Sequence, residues 1–175
     1  AFKTTGSGMA SAISSLGATA TTAKIPLEEQ LAILGMLQAT MSGAEAGTKY
    51  RAFMKSAAEA GKELNIEFVD QNNNLLGMVA ILRKLRERYG ETLDAMEKME
   101  IQKAFGRAEA VAVVDLFYTK IGDLTSSIRQ MNVAMRQGTR LTIEMAQAMN
   151  MDIGSQLSLV GQQMHNLFEI MGETL

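Results

Sequence analysis

The sequence predicts an all-α protein, a compact bundle of about six to eight helices with one short extended bend or β-hairpin near residues 65–76. Three observations predict it. One proline occurs in 175 residues, and because proline breaks helix interiors its scarcity permits long helical runs. Fourteen methionines supply unbranched, adaptable side chains of the kind that fill gaps between helices. Apolar residues recur at steps of three and four along most of the chain.

Met9, Ala12, Ile13, Leu16 and Ala20 make one face of a first helix. It is weak alone, because Ser, Thr and Gly have modest helix propensity. Lys24-Ile25 is a junction. Pro26 then sits in the first turn of a second helix, where proline is tolerated, and Glu28 and Glu29 complement its positive end. Leu27, Leu31, Leu34 and Met41 carry its stripe, and Ser42-Gly43 ends it. A third helix spans about residues 44 to 60, with Gly47, Tyr50, Met54 and Ala57 on one face. A glycine on that face admits a neighbouring backbone, at a propensity cost of about 1 kcal/mol. Gly61 is the expected C-terminal stop.

Residues 66–69 (Ile-Glu-Phe-Val) alternate and are β-rich, and Asp70-Gln71-Asn72-Asn73-Asn74 has turn composition. A fourth helix, residues 75–89, carries Met78, Leu82, Leu85 and Tyr89 on one seam and stops at Gly90. A fifth, residues 92–104, is strongly charged around Met96, Met99 and Ile101 and ends at Phe105-Gly106. A sixth opens at Arg107 and holds Ala110, Val111, Val114, Leu116 and Phe117.

From Ile121 the character changes to longer helices. Leu124, Ile128, Met131 and Met135 step by four, three and four. Leu141, Met145 and Met149 continue less regularly past Gly138. Leu157, Val160, Met164, Leu167 and Met171 then give a heptad-like seam of about two repeats. Packing on the chain's own body and a homo-oligomer seam both satisfy that stripe. The expected organisation is one helical domain over residues 1–175, glycine-punctuated to about residue 120 and longer-helical from about 121 to 175. The opening Ala1-Phe2-Lys3 reads as a piece of a longer chain.

Composition narrows function. At 47% hydrophobic and 21% charged the chain suits a packed body rather than a disordered tail. A formal charge of -2 argues against binding nucleic acid by bulk electrostatics. Without cysteine there is no disulfide framework and no thiolate metal site. Residues 4–23 are uncharged, but nine of the twenty are Ser or Thr and three are Gly, which drives membrane insertion poorly. A small-residue helix packed closely on a neighbour is the expectation, with no transmembrane segment.

No motif marks a chemical site. Asp70, Asn72 and Asn74 match the first side chains of a calcium loop, but Leu75 stands where the loop needs glycine and Ile81 where it needs a carboxylate. A polar turn is the expectation. Arg83, Lys84, Arg86 and Arg88 form the densest basic cluster, which Glu87 interrupts, and read as a solvated helix face. His165, the one histidine, has Glu169 four residues on, an ordinary helix-surface pair. Asp94, Glu97 and Glu100 among Lys98 and Lys103 read as an exposed charged face. Gly6-Ser7-Gly8 lacks the strand and third glycine of a dinucleotide fingerprint and reads as a flexible start. The expectation is no enzyme, no metal and no cofactor.

Two glycine-punctuated segments carry a resemblance: Ser42-Gly43-Ala44-Glu45-Ala46-Gly47-Thr48 and Ala104-Phe105-Gly106-Arg107. With residues 31–53 around the first, the bend and helix of residues 66–85, residues 101–116 around the second, and Gly154-Ser155-Gln156-Leu157 leading to Gly172, the chain resembles the core domain of phage tail tape-measure proteins. The family usually has glycine in the turn after the aspartate, where this chain has Gln71-Asn72-Asn73-Asn74; asparagine also accepts left-handed backbone. The resemblance implies a structural role in tail assembly, tail length and genome ejection. It implies a place in the tail-tube lumen after assembly in the host cytoplasm. Its partners would be the tail tube protein, a tail-assembly chaperone and tail-tip proteins, with homo-oligomers plausible. Gly43, Gly47, Gly61, Gly90, Phe105 and Gly106 are the positions expected to serve turns and close helix packing.

Physics limits the ruler idea. At roughly 1.5 Å per residue, one unbroken helix of this chain would span about 260 Å. Glycines 43, 61, 90 and 106 instead predict short helices folded back on one another, a module attached to a ruler. Two other readings stay open on the sequence: a helical interaction or scaffold domain unrelated to phage, oligomerising through its Met-rich C-terminal helices, and a peptidoglycan-cleaving domain.

Overall fold

The structure, a computed structural model, describes residues 6–137. Among these residues the fold is all-α. Its helices are α1 (Gly6–Leu16), α2 (Thr19–Thr22), α3 (Leu27–Leu37), α4 (Gly43–Leu64), α5 (Met78–Tyr89), α6 (Ala95–Phe105), α7 (Ala108–Tyr118) and α8 (Ile121–Gln137). The seam at Leu157, Val160, Met164, Leu167 and Met171 lies outside the described residues, as does His165.

The centre is α3, buried on nearly every side from Glu29 to Leu37. A helix apolar all round belongs in a core, and α3 packs on α8, α4 and α1. The long α4 is the scaffold for the rest: α1, α7 and α6 all lie against it. The core is continuous from Met9 through Met135. Aromatic rings line one part of it, with Phe53 and Phe105 stacked at 5.6 Å and Phe68 tilted against Phe105 at 6.3 Å. Phe105 therefore ties α6 to α4 and to the bend, and Gly106, at φ +64°, supplies the left-handed cap behind it.

Several boundaries differ from expectation. The second helix ends at Leu37, not at Ser42-Gly43, because its last carbonyls are taken by tight turns: Ala39 N–H donates to Met36 O at 3.2 Å and Thr40 N–H to Leu37 O at 3.1 Å. Met41 lies beyond it. Ser42 instead starts α4, its hydroxyl accepting from Glu45 N at 3.3 Å, and Gly43 is the first residue of that helix. Gly61 does not stop α4. Asn65 does, at φ 54° and ψ 43°, with Ile66 N–H donating to Gly61 O at 2.8 Å. Gly6-Ser7-Gly8, expected to be flexible, begins α1.

The bend between α4 and α5 is a minimal antiparallel pairing of Val69 with Leu75. Asp70 builds its turn: Oδ1 accepts from Asn72 N and Asn74 N, each at 2.8 Å. Asn73 takes the left-handed backbone at φ 64°, the conformation for which glycine or asparagine is favoured. The fourth helix begins at Met78 rather than Leu75, because Leu75 is spent on the pairing with Val69.

Candidate functional site

The sequence marks no catalytic constellation, and the structure of the described residues groups no three His, Asp or Glu side chains for a metal. What it builds is architecture. The most extensive helix contact is α1 on α4, and it is made by backbone. A Cβ on Gly43 would lie 1.8 Å from Gly8 O, and one on Gly47 would lie 2.1 Å from Ala12 O. Partners four residues apart on each helix run in the same direction, so one small-residue strip lies on another. Small residues at such a crossing let two backbones touch. The far side of α1 is serine-rich and carries no charge.

Gly61 plays a comparable part within α4. A Cβ there would stand 2.6 Å from Ile66 O and 3.0 Å from Phe68 Cγ. The chain folds back over that glycine, which sets the bend against α4. A shallow groove of about 340 Å³ opens alongside, between Ala58, Gly61 and Lys62 on the helix and Glu67, Phe68 and Val69 on the bend.

The basic cluster on α5 departs from the solvated face expected of it. Arg86 donates from Nε at 3.0 Å and from Nη2 at 2.7 Å to the carbonyl of Tyr118, the last residue of α7. Its guanidinium also lies 5.7 Å from the Tyr118 ring centre. Arg88 Nη1 donates to the carbonyl of Leu64, the last residue of α4, while Nη2 pairs with Glu100 at 2.7 Å. Two cations from one helix thus satisfy the orphan carbonyls of two others, where the helix dipole favours positive charge. Arg83 remains exposed. The Tyr118 hydroxyl completes the cluster by donating to Gly90 O at 2.6 Å, and burial raises that phenol's pKa. Gly90 itself caps α5 at φ +83°.

The acidic face of α6 is partly structural as well. Asp94 and Glu97 form a reciprocal capping box, with both bonds at 2.8 Å. Lys103 approaches Glu63 of α4 at 3.9 Å. Between these charges Met96 and Met99 are 79% and 68% exposed, the largest apolar groups that the described surface leaves uncovered.

A further carboxylate escaped the sequence reading. By sequence Glu29 complements the helix dipole of α3, yet it is buried and accepts Met78 N–H at the start of α5, at 2.5 Å. Burial pushes its pKa up, the bond from Met78 opposes the rise, and Glu28 adds to it. The neighbouring Tyr50 phenol is pushed far up, by burial first and then by the charge of Glu29.

This is a site for holding helices together. The model of a family described as phage-related minor tail protein matches residues 1–106. The chain belongs to that family. No curated protein and no solved structure matches it. The matched region takes in the small-residue contact of α1 on α4, the bend, the Arg88 cap on Leu64 and Phe105-Gly106, while the Tyr118 carbonyl that Arg86 caps lies beyond it. As a member of a phage tail family, the protein is a structural virion component with other tail proteins as partners. That assignment replaces the reading as a scaffold unrelated to phage. No described helix is long and apolar enough to cross a membrane.

Proposed function

We propose that this minor tail protein is a segment of a tape-measure protein, acting in tail assembly, in setting tail length inside the tail tube, and in genome ejection. The observation that carries the reading is the family match over residues 1–106, joined to the order of the motifs at residues 42–48, 66–85 and 104–107. Its partners would be the tail tube protein, the assembly chaperone and tail-tip proteins, met first in the host bacterial cytoplasm and then in the tube lumen.

Within that role the described residues act as a folded module attached to the ruler. Helices of 11 to 22 residues, apart from the short α2, turn back at Asn65, Gly90 and Gly106, which shortens the body far below an extended helix. Removing the parent gene and imaging tails by electron microscopy tests the function: absent or misregulated tails are expected, and tails of normal number and length would overturn it. Small-angle scattering of the chain tests the module, since a rod tens of nanometres long is incompatible with it.

Homo-oligomerisation through Leu157, Val160, Met164, Leu167 and Met171 belongs to the same proposal and rests on the sequence stripe. Sedimentation of a Met164→Lys, Leu167→Lys variant tests it, with an unchanged oligomer counting against that seam. No catalytic step is assigned. Release of soluble fragments from purified peptidoglycan by the chain would overturn that.

A further inference from the structure

Glu29 sits where a carboxylate gains little. It is 9% exposed, and its carboxylate accepts a hydrogen bond from Met78 N–H, 49 residues away. Gly77 makes room for it, because a Cβ there would stand 2.5 Å from Oε2. The surrounding groups offer its charge partial help. From α3 comes Glu28, a like charge, whose Oε1 accepts from Asn132 of α8 at 3.0 Å. From α4 comes Tyr50, a wholly buried neutral phenol. From α5 come Met78 N–H and the positive end of the helix, with no acidic side chain in its first turn. Among the described residues no Lys or Arg makes an ion pair with Glu29.

We propose that Glu29 is a proton-operated clip between α3 and the first turn of α5, closed most firmly when protonated and opened more often when ionised. The sign follows from linkage. A carboxyl whose folded pKa lies above its unfolded one binds more protons in the folded state. Stability is therefore greatest below the unfolded value and declines as pH rises toward and through the folded one. The raised pKa of Glu29 places that decline above the ordinary glutamate range. The ionised carboxylate regains water most cheaply by release of the Met78 turn, because exposing it from the other side would dismantle α3, which is buried all round. Local opening takes the least stable route available. The clip is independent of the tail function proposed above.

Hydrogen exchange on the full 175-residue chain tests it, at about pH 5 and about pH 8 with intrinsic exchange rates divided out. In the wild type, protection of the Met78 and Ile81 amides should fall several-fold at the higher pH relative to amides of α7. Glu28→Gln should keep that difference and Glu29→Gln should abolish it. An equal fall in Glu29→Gln overturns the proposal. Should Glu29→Gln fail to fold, the wild type decides alone: protection at Met78 that stays constant against α7 overturns it.

Discussion

Gly43 and Gly8 touch through their backbones: a single methyl group on Gly43 would be placed 1.8 Å from the carbonyl oxygen of Gly8. A contact of that kind leaves no side chain to move aside. Gly43→Ala and Gly47→Ala should each destabilise the protein by about 3 kcal/mol, toward the upper end of overpacking costs, despite alanine's better helix propensity. Urea denaturation measures it. Gly122→Ala is the control, since nothing lies within 4 Å of its Cβ position; there alanine should be neutral or stabilise by a few tenths of a kcal/mol. Because Gly43 and Gly47 share the α1 partner, the double variant should fall short of the sum.

Arg86 offers a second test. Replacing it with alanine leaves the Tyr118 carbonyl without its two donors and should cost about 1–3 kcal/mol. Arg86→Lys should recover only part, because an ammonium lacks the planar fork that reaches one oxygen with two N–H groups. Chemical denaturation of the three proteins, compared at one salt concentration, checks the order.

Gly90 and Gly106 both have positive φ, yet they should differ in what they accept. Gly106 has φ 64° and ψ -3°, close to the left-handed region asparagine adopts. Gly90 has φ 83° and ψ -169°, a region open essentially to glycine alone. Gly106→Asn should therefore cost under about 1 kcal/mol and Gly90→Asn about 1–3 kcal/mol. Thermal melts that rank them the other way would refute the backbone argument.

Asp70 should give the protein an acid-side weakness opposite in sign to that of Glu29. Bonds from the Asn74 side chain and backbone lower its pKa. A depressed folded pKa contributes stability that is present above the unfolded value and lost as pH falls through the folded one. Asp70→Ala should be less stable than wild type near neutrality, and the two should converge as pH falls below the ordinary aspartate range. Melting curves across that range check it.

Much of the helical order was legible from spacing. Met9, Ala12, Ile13 and Leu16 recur at helical intervals, and all are buried in α1. Phe105-Gly106 marked a helix end because left-handed caps favour glycine. Gly61 misled for the same reason, since glycine also serves close approach, and only the chain folding back at Ile66 and Phe68 selects between the two uses. Gly43 and Gly47 signalled a close contact without naming Gly8 and Ala12 as its other half; glycine or alanine four apart on both segments was the available clue.

The sequence by itself determined the periodic apolar faces, the turn chemistry at Asp70 to Asn74 and the motifs of a tail family, because these are local and depend on residues a few positions apart. Tertiary structure alone decided the fate of the charges. Arg86 and Arg88 meet carbonyls 32 and 24 residues away, and Glu29 an amide 49 residues away. A charged side chain reads as solvated until the fold brings an orphan backbone group within reach, and backbone groups carry no sequence signature.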